Sequence, residues 1–298
     1  MLDFSKPLII PSEAKTSILK ESYLFACKKD VEIIKPGNVS IKSAHSDTTA
    51  KDYIISSINS SNALFLKEYS LGERISYAIN LTKKETRVNT NLGIILLCAP
   101  IIHAFMHFKH QALKDSIHNL ILHSDEKDTM LICEAIQQAN PGGLGSSDKM
   151  DVKLKPYVNL HEIMSYASKY DRISYQYANK FSDILNFVLP KIDEYQKTGE
   201  TLDFSLSLIF LEILAEIPDS HIARKFGEKI AKKTSNQAYD LLKILKRDSS
   251  RENAMKCIAD LDYDYKKNGI NPGTTADLLI ASLMVYMIFS SVDSHLGS

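Results

Sequence analysis

The sequence has no excess of either charge, since lysine plus arginine equals aspartate plus glutamate at 36 each. Without a global basic field, nothing holds a nucleic-acid backbone non-specifically, so any polyanion site has to be local. Cysteine is scarce and scattered: Cys27, Cys98, Cys133 and Cys257 never form a C-x-x-C pair. That spacing argues against a disulfide framework or a zinc knuckle and suits four thiols in a reducing compartment. The stretch 1–11 lacks the basic region, long apolar run and small-residue cleavage site of a secretory signal. The most apolar run, 278–289, is too short to span a bilayer and reads as a buried core helix. Taken together, these absences predict a cytoplasmic protein with neither a nucleic-acid nor a membrane partner. Alternating β-branched runs bounded by hairpin turns are missing as well, as is any fixed-period repeat.

What is present is a three- and four-residue apolar spacing along most of 298 residues, 44% of them hydrophobic and 24% charged. Such a chain buries a large core without disulfide or metal staples. We therefore expect an all-α fold, a single bundle of roughly ten or more helices occupying residues 1–298. Helices are expected over 12–30 with Ser12 as cap, 48–60, 63–82, 94–123 with a kink at Pro100, 126–139 and 159–170. Further ones are expected over 172–189, 202–217, 222–232, 236–246, 250–268 and 275–292. The string Asn140-Pro-Gly-Gly-Leu-Gly-Ser-Ser-Asp148 and the polar stretch to Asn159 read as a loop, with a lid as one use for it.

Several expected helix starts combine Gly, Asn or Thr with an acid or a base. Helix N-termini offer free N–H groups and a positive dipole end, which can hold phosphate without much net charge. Lys35-Pro-Gly37-Asn38-Val39 is either a tight turn or a phosphate element, and His45 with Asp47 is either a cap region or a magnesium site with its second shell. Asn89-Thr-Asn91-Leu-Gly93 reads as a capped helix start or as amide contacts to ribose and phosphate. In Pro218-Asp219-Ser-His221-Ile-Ala-Arg224-Lys225 a cap explains the acid but not the histidine and two cations, which suit phosphate. Asn271-Pro-Gly273-Thr274-Thr275-Ala-Asp277 opens the most apolar helix, so Asp277 must find a partner near the core. His103, His107 and His110 share an i, i+4, i+7 face, but no Glu completes a zinc motif, and partly exposed surface histidines are the expectation. The Gly142-Gly-Leu-Gly145 loop is no dinucleotide fingerprint, because no strand precedes it.

In this order, and from about residue 22 to 287, these segments resemble the triphosphoribosyl-dephospho-CoA synthase family. Its K-P-G-x-V turn and G-A-H-x-D-M element read here Lys35–Val39 and Ser43–Thr48. Its N-T-H-K-G reads Asn89–Gly93, its D-T-N with later Arg and Gly reads Asp219–His221 with Arg224 and Gly227, and its S-P-G-G-S-A-D-L-L reads Asn271–Leu279. Asn91 and Leu92 replace His-Lys, His221 replaces Asn, and Thr274-Thr275 replace Gly-Ser. With the Gly-Leu-Gly loop, these departures are similar to an archaeal, one-carbon-metabolism-like branch of the family.

The resemblance implies a transferase that moves the triphosphoribosyl group of ATP to a hydroxyl of dephospho-CoA, releasing adenine, in prosthetic-group biosynthesis. It places His45, Asp47, Asp219 and Asp277 as catalytic groups, with the three aspartates also binding Mg²⁺. The nucleotide and its phosphates fall to Lys35, Gly37, Asn38, Asn89, Asn91, Gly93, His221, Arg224, Lys225, Gly273, Thr274 and Thr275. Partners would be ATP, dephospho-CoA or a related acceptor, and a second copy of the chain in a homodimer. The alternatives are the same chemistry on another cofactor-precursor acceptor and a non-catalytic nucleotide-binding protein.

Overall fold

The computed structural model describes residues 2–43, 48–86, 89–142, 158–247 and 250–296, with side chains to 293. The described residues form α1 (Lys15–Glu32), α2 (Ala50–Leu64), α3 (Leu71–Thr86), α4 (Leu92–His107), α5 (Leu113–Leu122) and α6 (Glu126–Ala139). After these come α7 (Leu160–Ala167), α8 (Arg172–Ala178), a π-helical segment (Asp183–Val188) and α9 (Leu189–Gln196). The chain then forms α10 (Leu202–Glu216), α11 (Ser220–Phe226), α12 (Glu228–Leu245), α13 (Arg251–Lys267) and α14 (Gly273–Leu296). Among the described residues there is no strand, only an isolated antiparallel bridge between Ser40 and Ser43. The chain is an all-α bundle.

Polar residues at the expected starts do begin helices, because each returns an acceptor to an orphan N–H of the first turn. Asp125 accepts from Asp128 N at 2.8 Å, Asn159 from Glu162 N at 2.9 Å and Asp171 from Ser174 N at 2.8 Å. Thr49 and Asp52 close a reciprocal capping box at the start of α2.

At the centre lies α14, in contact with α1, α4, α10, α11, the π segment and its neighbours α8 and α9. Leu278, Leu279, Ile280, Leu283, Met284, Val285 and Ile288 are buried from several sides, and each such side chain stabilises the fold by roughly 2 kcal/mol relative to exposure. The helix is longer than the apolar run suggests. Gly273–Asp293 is long and apolar enough to cross a membrane, with an 18-residue window of mean hydropathy 1.7, yet 72% of that window is buried inside the bundle. The core-helix reading holds, although its argument from length does not.

Helix α4, also almost wholly buried, packs against α14 and carries Pro100 in its interior. The proline takes away the N–H that the Leu96 carbonyl would have received. The hydroxyl of buried Tyr177 donates to that carbonyl at 2.5 Å, so the gap is filled from α8.

Several expected boundaries move, each for a local reason. Ser12 does not cap α1; the chain turns there first, Ala14 N bonding Pro11 O, and the helix starts at Lys15. The helix expected over 63–82 is divided, because α2 runs on to Leu64 and α3 begins at Leu71. Buried Arg74 donates to the carbonyls of Leu64 and Tyr69 left open by the break. The long helix expected over 94–123 is two, α4 and α5, with His110 at φ 65° between them, and Pro100 is not the break. The helix expected over 172–189 stops at Ala178, since Lys180 and Phe181 both take φ 55°, and Pro190 then opens α9 rather than ending its predecessor. The pair expected over 222–232 and 236–246 is instead α11 and α12, divided at Gly227 with φ 87°.

Candidate active site

Each of the described motif segments reaches one region at the starts of α4, α11 and α14. Gly37, at φ 82°, gives its N–H to Asp262 at 2.8 Å and lies so close to the chain before α14 that a Cβ would stand 2.4 Å from the Ile270 carbonyl oxygen. Asn38 Nδ2 donates to Asn271 Oδ1 at 2.9 Å. Asp219 caps α11 through Ile222 N at 3.0 Å, while its other oxygen accepts from the N–H and hydroxyl of Thr275, both at 2.8 Å. Ser220 and Thr274 pair through their hydroxyls at 3.1 Å. His221 Nδ1 stands 2.7 Å from where a Cβ of residue 273 would be, which is why a glycine opens α14.

A cleft of about 540 Å³ opens here. Asn89, Asn91 and Leu92 line it from the start of α4, His221 and Lys225 from α11, and Asn271 from the approach to α14. Asn89 Oδ1 accepts from Leu92 N at 3.2 Å, and Asn91 Nδ2 donates to Ser60 Oγ at 3.3 Å. Thr48 of the Ser43–Thr48 segment and Asn140 and Gly142 of the expected loop also line it, and the remaining walls come from residues that motif spacing did not single out: Tyr53 of α2, Ile79, Thr82 and Lys83 of α3, and Gln138 and Ala139 at the end of α6. The only sequence signal of these helical wall residues was position on a helix face, which needs the packing to be read.

Asp277 lies against Gly93, in the first turn of α4. A Cβ there would be 2.0 Å from Asp277 Oδ2. No hydrogen bond to the Asp277 carboxyl is formed by the described residues. Burial holds its pKa well above the usual carboxylate range, with Asp30, Asp219 and Asp171 adding to the effect and Arg224 opposing it. The positive end of α4 also opposes it.

Two expected phosphate cations are spoken for. Lys35 is fully buried and its Nζ pairs with Asp30 Oδ1 at 3.0 Å. Arg224 forms an ion pair with Asp171, the cap of α8. Asp30 and Asp171 are the acids that spacing did not point to, although Asp171 carried a detectable cap signal in Asp-Arg-Ile-Ser. His45, Asp47 and the loop residues 143–157 lie outside the described residues.

The histidines sort differently. His103 and His107 stack at 4.3 Å and, with His123, line a second cavity of about 570 Å³, whereas His110 lies beyond the end of α4. His103 is partly exposed and His107 and His110 are exposed, as expected, and burial, then His107 and Arg74, push the His103 pKa down to about 3. Among the described residues no three His, Cys, Asp or Glu side chains form a metal-holding group.

Helix starts meeting at a polar cleft, with the half-buried Asp277 held against the first turn of α4, define an all-helical protein with the layout of a phosphate-substrate enzyme. A family model described as ATP:dephospho-CoA triphosphoribosyl transferase, CitG, matches residues 16–294. The chain belongs to this family of ATP-dependent transferases. Its fold is similar to a crystal structure of a candidate triphosphoribosyl-dephospho-CoA synthase from Archaeoglobus fulgidus, with a TM-score of 0.61 and 21% identity. The match covers 78% of this chain and 96% of that one. A search of curated proteins gives no match.

Proposed function

We propose that the chain transfers the triphosphoribosyl group of ATP to a hydroxyl of dephospho-CoA or a related acceptor, with release of adenine. The observation that supports this reading is the convergence of Asn89, Asn91, Leu92, His221, Lys225 and Asn271 at one cleft, with Asn38 bonded to Asn271, Asp219 joining α11 to α14, and Asp277 against Gly93 at the start of α4. In the reaction the ribose C1′–N9 bond breaks and an acceptor O–C1′ bond forms. The acceptor proton leaves to a base, and the departing adenine takes up a proton. Charge at C1′ develops as in glycoside cleavage, so a carboxylate nearby lowers the barrier. Asp277 is suited to that position, because its carboxyl is not committed to hydrogen bonds with described residues.

Asp219 serves differently, as both its oxygens already join α11 to α14. Mg²⁺ commonly binds through one or two carboxylates together with substrate phosphates. Asp277 fits such a role better than Asp219, and the ion would supply charge neutralisation for the triphosphate. Asn89, Asn91 and Lys225 face the same space and suit ribose and phosphate oxygens.

The test is incubation with ATP, Mg²⁺ and dephospho-CoA, following free adenine by chromatography. Adenine formed only with acceptor present, and lost in Asp277→Asn, is the expected result. ATP binding without adenine release for any alcohol acceptor would overturn it.

A further inference from the structure

A triphosphate brings several negative charges into the cleft, and fixed cations must meet them. Of the cations expected from sequence, Lys35 is sealed inside against Asp30 and Arg224 is neutralised by Asp171. Two ammonium groups line the cleft among the described residues, Lys225 on α11 and Lys83 on the last turn of α3. Neither forms an ion pair with a described acid. Lys83 Nζ donates to the Gln138 carbonyl at 2.9 Å, and Gln138 lines the same cleft. One of three ammonium donors thereby anchors the group and two are left over. Anchoring lowers the side-chain entropy lost when an anion is gripped. We propose that Lys83, acting with Lys225, is the cation that binds the phosphate chain, an inference that rests on the nucleoside triphosphate reading of this cleft.

Calorimetric titration with ATP and, separately, inorganic tripolyphosphate tests it on the full chain. Lys83→Met should weaken both by about tenfold, as loss of a charge-assisted contact does. Lys84→Met, on the same helix but away from the cleft, should leave both unchanged, and circular-dichroism melting should match wild type for both variants. Lys83→Met binding ATP as tightly as wild type would overturn this inference while leaving the proposed reaction intact. Equal weakening by Lys84→Met would also overturn it, by reducing the effect to bulk charge. If the wild type takes up tripolyphosphate through Lys83 but not ATP, the inference stands and the proposed reaction fails. A wild type that takes up neither sinks both.

Discussion

Gly93 and Asp277 share one small space, because the Asp277 carboxyl occupies the volume that a side chain at residue 93 would need. The two residues come from the starts of α4 and α14, two strongly apolar helices. Gly93→Ala should therefore push the carboxyl or the helix aside at a cost of about 1–3 kcal/mol. A lowered melting temperature together with lost adenine release is expected; an alanine variant of full stability and activity would refute the contact.

Asp277 also sets a pH dependence. Its folded pKa is raised by burial and by Asp30, Asp219 and Asp171, so the folded state holds a proton that the unfolded chain releases earlier. Stability then falls as pH rises from about 4, the ordinary aspartate value, towards the raised one. Asp277→Asn removes that slope. Denaturant unfolding of the Mg²⁺-free protein across this range should show the variant gaining on wild type as pH increases, and parallel curves would contradict the assignment.

Asp219 should behave as a structural acid before it behaves as anything else. Asp219→Ala removes the α11 cap and leaves Thr275 N–H buried without its acceptor. The expected loss is about 2–4 kcal/mol, read as a drop in the unfolding midpoint, whereas Asp277→Asn should produce no such drop near neutral pH. A melting curve unchanged by Asp219→Ala would show that the bridge between α11 and α14 carries no stability.

Tyr177 and Pro100 are coupled through the Leu96 carbonyl. Tyr177→Phe should cost about 1–2 kcal/mol by orphaning a buried acceptor. Adding Pro100→Ala restores a backbone donor within α4, so the tyrosine change should cost less in that background. A double-mutant cycle on unfolding free energies measures the coupling, and strict additivity would break the argument.

The helical class was legible because apolar spacing is a local property of the chain. So were capped starts such as Asp125, Asn159 and Ser250, since a cap lies three residues from the N–H it serves. Breaks were harder to read. Lys180 and Phe181 adopt left-handed backbone without a glycine to announce it, and Arg74 stabilises the break before α3 from inside the helix that follows.

By itself the sequence determined the helical class, the family and the motif segments that meet at the cleft, because these reside in residue type and spacing. Tertiary structure alone decided which of those residues remain available. It sealed Lys35 against Asp30, tied Arg224 to Asp171, engaged both oxygens of Asp219 and brought Lys83 to the cleft. The physical reason is that a charged group's chemistry depends on its neighbours and its access to water, and both are set by contacts between residues far apart in the chain.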